Sequence, residues 1–131
     1  MAFRVEIERR FPAVQGLPSP VRAARGRSLI PAGDSIPVVL VVAVDFGEEQ
    51  LTERGWFFDT DATGEIVDRC CAELSAAPWT ALFDFRPTFE LVARHLFRRL
   101  ADRIPQLAYV ELRDETFGVT TRYSPAAGPG R

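Results

Sequence analysis

The sequence lacks several residue types on which common active sites depend. It has no lysine, because all sixteen basic residues are arginine, so no side-chain amine can form a Schiff base or serve a phosphate-binding loop. His95 is the only histidine, which excludes a histidine-rich zinc site within one chain. The two cysteines, Cys70 and Cys71, are adjacent and fit neither a disulfide framework nor a Cys-x-x-Cys motif. We expect two reduced thiols, partly in the core of a cytoplasmic protein.

Long apolar runs and excess charge are lacking as well. The longest apolar run, 36–44, is far shorter than the roughly 20 residues of a membrane helix. The first residues also lack the apolar core of a signal peptide. A net charge of −2 gives no general attraction for phosphate backbones. We therefore expect no membrane and no nucleic acid as a partner, and we treat residues 1–131 as one domain.

The spacing of apolar residues predicts four strands and two helices. The predicted strands span 3–9, 36–46, 107–116 and 119–123, and the predicted helices span 61–76 and 89–104. The run 36–46 is so uniformly β-branched that we expect a central strand covered on both faces. Asp61 and Thr88 are the predicted helix caps. His95 lies about 140° from the apolar stripe of its helix, at about 100° per residue, which predicts a solvated surface or interface histidine.

This element order predicts an α+β fold in which two helices cover one face of a four-stranded antiparallel sheet. Its two open edges favour a symmetric oligomer with sheets joined edge to edge. A long loop is expected at 15–34 and a flexible tail at 124–131, since both are rich in proline or glycine. Arg22, Arg25 and Arg27 in that loop are interpreted as a solvated cluster, with an anion clamp as the alternative.

Three motifs carry a resemblance to a known family. They are Arg86-Pro-Thr-Phe-Glu-Leu-Val-Ala, Ile104-Pro-Gln-Leu followed by a strand and Glu115-Thr116, and Gly55-Trp-Phe-Phe-Asp. In order and spacing they are similar to motifs of the 6-pyruvoyl-tetrahydropterin synthase and 6-carboxy-tetrahydropterin synthase family. The resemblance implies the fold of that family, the T-fold, and a homo-oligomer, either a trimer or a hexamer.

The catalytic positions of that family are replaced in this sequence. Gln15, Ala32 and Asp34 stand where the resemblance places the three zinc histidines, and Ser28 stands at the catalytic cysteine. Ser75-Ala76 replaces the catalytic Asp-His pair. A glutamine and an aspartate are a poor donor set for zinc, so we expect no metal and no cofactor. The catalytic residues stay unknown, with Ser28, Asp34 and Glu115 as the candidates.

The ligand-binding positions are better kept. The resemblance implies that Glu115 anchors a pterin, because a carboxylate accepts in parallel from the ring N–H and the amino group of a 2-amino-4-oxo-pyrimidine edge. Thr116, Thr88 and Gln15 are the other candidate ligand-binding residues. The alternatives are that Thr88 is only a helix cap and that Glu115 is only an outward residue of a solvated strand face.

The resulting hypothesis is a divergent, metal-independent member of this family that binds a pterin-like or other flat, conjugated heteroaromatic small molecule at subunit interfaces. A cyclase, lyase or isomerase activity is left open, but true pterin synthase activity is not expected. The alternatives are a non-catalytic pterin- or purine-binding module and a structural oligomer without a ligand. The absence of lysine counts against an aldolase of the dihydroneopterin type.

Overall fold

The computed structural model describes residues 2–17 and 34–125 of the chain. It confirms the predicted α+β architecture, with four antiparallel strands in the order β1-β2-β3-β4. The strands are β1 Phe3–Ala13, β2 Ile36–Phe46, β3 Leu107–Asp114 and β4 Val119–Tyr123. The helices are α1 Thr60–Ala76, the short α2 Trp79–Leu82 and α3 Phe89–Ala101, and a 3-10 turn spans Glu48–Gln50. Within the described residues, no helix has the length and apolar character to cross a membrane.

The main core lies between the sheet and the helices. β2 contributes Val38, Leu40, Val42 and Val44, all of which are essentially inaccessible to water. α1 and α3 bury their apolar stripes against them, including Val67 and Leu96. Each such side chain contributes about 1.5–3 kcal/mol through removal of apolar surface from water. This burial fixes the helices on one face of the sheet.

The opposite face of β2 is also buried, as its uniform β-branched composition predicts. Val39, Val41 and Ala43 form a second apolar cluster with Tyr109 of β3. No helix covers this cluster among the described elements, and the guanidinium groups of Arg4 and Arg122 lie over its Tyr109 ring instead. The aliphatic stems of arginine and glutamate can cover apolar surface while their charged ends remain near water.

Four boundaries differ from the sequence prediction. α3 ends at Ala101 and not at residue 104, and β3 ends at Asp114 and not at residue 116. β1 continues past residue 9 to Ala13, because Phe11 and Ala13 extend its inward alternation. α1 begins at Thr60, so the cap is Asp59 and the prediction of Asp61 is wrong. The Asp59 carboxylate accepts from the backbone N–H groups of residues 61 and 62 at 2.9 and 3.0 Å. The predicted cap of α3 is confirmed, since Thr88 Oγ1 accepts from Leu91 N–H at 3.2 Å.

Antiparallel pairing brings several chain segments to one end of the sheet. Ala13 at the end of β1 pairs with Ile36 at the start of β2. The end of β3 lies beside them, because the Glu115 N–H donates to the Pro37 carbonyl at 3.2 Å. The last turn of α1 joins them through Ser75 Oγ, which donates to the Pro12 carbonyl at 2.8 Å. This region is called the Glu115 end of the sheet below.

Candidate functional site

Gln15 and Thr88, which are far apart in sequence, lie close together at the Glu115 end. Gln15 follows β1 by two residues, and its Nε2 donates to the Pro87 carbonyl at 3.0 Å. That bond holds the start of α3 against the end of β1. Both side chains are partly buried, and both make structural hydrogen bonds. The Thr88 hydroxyl accepts from the helix backbone, but a hydroxyl that accepts one bond still carries a hydrogen to donate.

Glu115 lies directly after β3, in the turn that leads to β4. Its carboxylate pairs with Arg10 of β1: Nη2 donates to Oε2 at 2.8 Å, and Nε forms an ion-pair contact with Oε1 at 2.6 Å. The backbone bond to Pro37 fixes the position of this residue beside β2. Two guanidinium nitrogens thus contact the two carboxylate oxygens, which is a bidentate arginine–carboxylate pair. Both oxygens of Glu115 are therefore already in contact with the guanidinium.

Thr116 contributes its backbone to the same turn. Its N–H donates to Asp114 Oδ1 at 2.9 Å, and the turn closes through Gly118 N–H to the Asp114 carbonyl at 2.9 Å. Gly118 has φ +68°, a conformation that favours glycine. The Thr116 side chain is exposed. The predicted strand 107–116 is therefore two residues too long, and Glu115 and Thr116 belong to the turn.

Asp34 lies at the same end, and the other candidates of the long loop cannot be placed. Asp34 is exposed and precedes β2 by two residues, as Gln15 follows β1 by two residues. Ser28 and Ala32 lie outside the described residues, as do Arg22, Arg25 and Arg27. The structure thus places Gln15, Asp34, Thr88 and Glu115 at one end of the sheet. The Glu115 carboxylate lies with Arg10 on the face without helices, whereas Gln15 contacts the start of α3.

The residues at the Glu115 end do not fit a zinc ion. The Gln15 amide nitrogen donates to a carbonyl, and the Ser75 hydroxyl donates to another. Ser75 and Ala76 stand at the former catalytic Asp-His pair, and the exposed Asp34 is the one carboxylate at the former zinc-ligand positions. Within residues 2–17 and 34–125, no group of three or more His, Cys, Asp or Glu side chains is placed to hold a metal. Zinc needs about four N, S or O ligands, so this donor set cannot support zinc chemistry.

The two cysteines lie in α1 and pack in the core. Both are free and buried, as predicted. Burial raises the pKa of the Cys70 thiol to about 11 and that of Cys71 to about 12. The thiolate is the nucleophilic form of cysteine. Neither residue can therefore replace the missing catalytic cysteine at neutral pH.

His95 lies in a different place from the Glu115 end, and its surroundings correct the prediction. It is partly buried, with ring centroids 5.1 Å from Phe83 and 5.4 Å from Phe85. These residues line a cleft of about 590 Å³ between α1, α3 and the segment that joins α2 to α3. Burial, helped by the charge of Arg99, lowers the pKa of His95. The imidazole is therefore a packed, neutral side chain at pH 7 and not a solvated one.

A charged network on the helix-free face was missed by sequence reasoning. Glu111 of β3 is only 2% exposed, and it accepts from Arg113 Nε at 2.7 Å and from Arg122 Nη2 at 2.8 Å. Arg113 also pairs with Glu8 of β1 at 2.8 Å, and the Arg122 guanidinium lies 3.9 Å from the centre of the Tyr109 ring. The solvated strand face that the alternative for Glu115 invokes therefore does not extend to Glu111. The signal that could have found it is the cross-strand pairing of residue 111 with residue 122.

Comparisons with known proteins agree with this geometry. A search of curated proteins finds no significant match. A protein-family model described as 6-pyruvoyl tetrahydropterin synthase matches residues 39–126, which is two thirds of the chain. The matched region includes Thr88, Glu115 and Thr116, whereas Gln15, Ser28 and Asp34 precede it. With the strand and helix order and the Glu-Thr turn after β3 in place, this match shows that the chain belongs to the 6-pyruvoyl tetrahydropterin synthase family.

Proposed function

We propose that this chain is a divergent, metal-independent member of the family that binds a pterin-like or other flat, conjugated small molecule. Glu115 is the anchor, and Thr88, Thr116 and Gln15 complete the polar part of the site. The carrying observation is the Glu115 carboxylate itself, whose two oxygens already contact two nitrogens of one guanidinium, at 2.6 and 2.8 Å. A 2-amino-4-oxo-pyrimidine edge presents the same pair of donors on one carbon atom, so it can occupy the same acceptors.

The position of Glu115 supports a role as a ligand anchor. Its side chain is 33% exposed, so a ligand can reach it from solvent. Its backbone is bonded to β2, so little conformational freedom is lost when the carboxylate binds. A charge-assisted bidentate contact is roughly twice as strong as a neutral one and fixes the orientation of a flat ligand.

Oligomer formation is the second part of the proposal. β1 and β4 are the edges of the sheet, and each leaves a row of backbone N–H and C=O groups without a partner strand among the described residues. Val119 on β4 is 54% exposed. We propose that sheets join edge to edge in a homo-oligomer, a trimer or a hexamer, of subunits that each form one domain. Glu115 lies in the turn that leads to the edge strand β4, and Arg10 lies on the other edge strand, β1. A junction at either edge would therefore bring a second subunit close to a ligand bound at Glu115.

Light scattering tests the assembly separately from the ligand. The proposal expects a mass of three or six chains at micromolar concentration. A stable monomer under those conditions would contradict the interface site but would leave the chemistry of Glu115 unaffected. The two free cysteines support a cytoplasmic location for this oligomer.

Catalysis is the open part of this function. A cyclase, lyase or isomerase reaction would have to use Asp34, Ser28 or Glu115 as its acid or base. Non-catalytic pterin binding is the alternative, and one observation favours it. The Gln15 amide and the Thr88 hydroxyl both form hydrogen bonds that hold α3 in place, which is a structural use of two of the site residues.

Fluorescence titration with neopterin and sepiapterin tests the binding proposal. We compare the native protein with Glu115→Gln, whose amide offers one acceptor and turns an N–H₂ group toward the donors of the ligand. Glu73→Gln is the matched control, because Glu73 is an exposed, arginine-paired glutamate located on α1. We expect micromolar binding that is retained in the control, is lost at least tenfold in Glu115→Gln, and is unchanged by a metal chelator. Equal binding by all three proteins would contradict the role of Glu115.

A further inference from the structure

Arg10 is the residue that now occupies the proposed anchor. It projects from β1 on the helix-free face, opposite Val39 of β2, and reaches across β2 to a carboxylate 105 residues later in the sequence. Nε and Nη2 are bonded to one guanidinium carbon and lie 2.6 and 2.8 Å from Oε1 and Oε2 of Glu115. The pair is therefore closed side-on, with both oxygens used.

The guanidinium and the proposed ligand edge are chemically equivalent donors. In each, two N–H groups on the same carbon are held in one plane at the same spacing. One side-on pair of this kind occupies the two facing lone pairs of a carboxylate, so a second coplanar pair cannot bind there at the same time. A ligand with such an edge must displace Arg10 before it binds Glu115.

The surroundings of the pair allow this exchange. The Arg10 side chain is 69% exposed, so a displaced guanidinium returns to water at little cost in solvation. Glu115 is held by its backbone bond to Pro37 and stays in place when its partner leaves. The exchange therefore requires the rotation of one surface side chain.

We propose that Arg10 is an intramolecular competitor, which occupies Glu115 in the free protein and lowers the affinity for ligands with a cyclic, guanidine-like N–H edge. This inference rests on the proposed function of Glu115. Ligands that lack the paired donors cannot replace the guanidinium at the carboxylate. Their affinity is therefore independent of the exchange.

Removal of the competitor is the direct test. We compare the native protein with Arg10→Ala, and we use Arg4→Ala as the matched control. Arg4 lies on the same strand and face and forms the same side-on pair, with Asp45, at 2.7 and 2.9 Å. The probes are pterin and lumazine, which differ at position 2, where lumazine carries an oxygen in place of the amino group. Thermal melting confirms that each variant is folded.

We expect Arg10→Ala to bind pterin about two- to fivefold more tightly than the native protein, which corresponds to the loss of one exposed ion pair. Arg4→Ala should bind pterin like the native protein, and lumazine should not gain affinity in either variant. Arg10→Lys, which keeps the charge but cannot form the side-on pair, should fall between the native protein and Arg10→Ala.

Added guanidinium provides a readout that a purely structural role would not change. At equal ionic strength, guanidinium chloride should weaken pterin binding to Arg10→Ala more than sodium chloride does, and it should affect the native protein less, because Arg10 already occupies the carboxylate. Equal pterin affinity in the native protein and Arg10→Ala would overturn the proposal that Arg10 competes with the ligand, but it would leave the role of Glu115 intact. Weaker binding by Arg10→Ala would also overturn it, since Arg10 would then assist the ligand. Binding of pterin by neither protein would overturn this inference together with the proposed function.

Discussion

Glu111 offers the strongest test of the charged network on the helix-free face. It is 2% exposed and accepts three hydrogen bonds from charged groups, one from Arg113 and two from Arg122, at 2.7 to 3.1 Å. Each hydrogen bond to a charged group contributes about 1.5–3 kcal/mol. The two arginines are 38% and 50% exposed, so in Glu111→Ala they recover part of this energy from water. We expect a net loss of about 2–3 kcal/mol in the free energy of unfolding.

Thermal and urea denaturation measure this loss. For a chain of this size, about 2–3 kcal/mol corresponds to a decrease of about 10 °C in the melting temperature. Glu8→Ala is the matched control, because Glu8 also lies on this face and accepts from Arg113 but is 59% exposed. An exposed pair contributes about 1 kcal/mol or less. If Glu111→Ala destabilised the protein no more than Glu8→Ala, the buried ion pairs of Glu111 would contribute no more to stability than an exposed pair, which would contradict the reasoning.

Two further predictions concern groups with shifted pKa values. The pKa of His95 is lowered in the folded state, so near its ordinary pKa of 6.5 the unfolded chain binds more protons, and stability should fall as the pH drops below about 7. Because His95 is the only histidine, His95→Gln should remove this dependence in urea titrations between pH 7.5 and 5.5, and a flat native profile would contradict the packing beside Phe83. Cys70 and Cys71, with raised pKa values of about 11 and 12, should react with a thiol reagent at pH 8 on the order of a hundredfold more slowly in the folded protein than in denaturant. Rapid labelling of the folded protein would contradict their burial.

The sequence predicted the fold well where one physical cause dominated. The β-branched composition of β2 predicted burial on both faces, because such a run has no polar positions to turn toward water. The cap at Thr88 followed from a hydroxyl placed directly before an apolar stripe of helical spacing. Asp59 and Asp61 both carry a carboxylate near the start of α1, so composition alone could not decide between these two caps.

Long-range pairing set the limit of prediction for the site. The resemblance pointed to Glu115, but its partner Arg10 is 105 residues distant and is recognised only when the strand register is known. Glu111 was missed because its partners are arginine side chains on two strands, which only the strand register brings together. His95 was misjudged for a related reason, since the aromatic residues that cover it lie outside its own helix.

The central claim is that Glu115 holds a flat ligand through a paired N–H edge, and a crystal structure of the protein with pterin tests it most directly. The account predicts the ring N–H and the amino group of pterin within hydrogen-bond distance of the two Glu115 oxygens. It also predicts Arg10 turned toward solvent and a second subunit in contact with the ligand. Pterin bound in the cleft beside His95, or Arg10 still paired with Glu115 while pterin is bound elsewhere, would contradict the account.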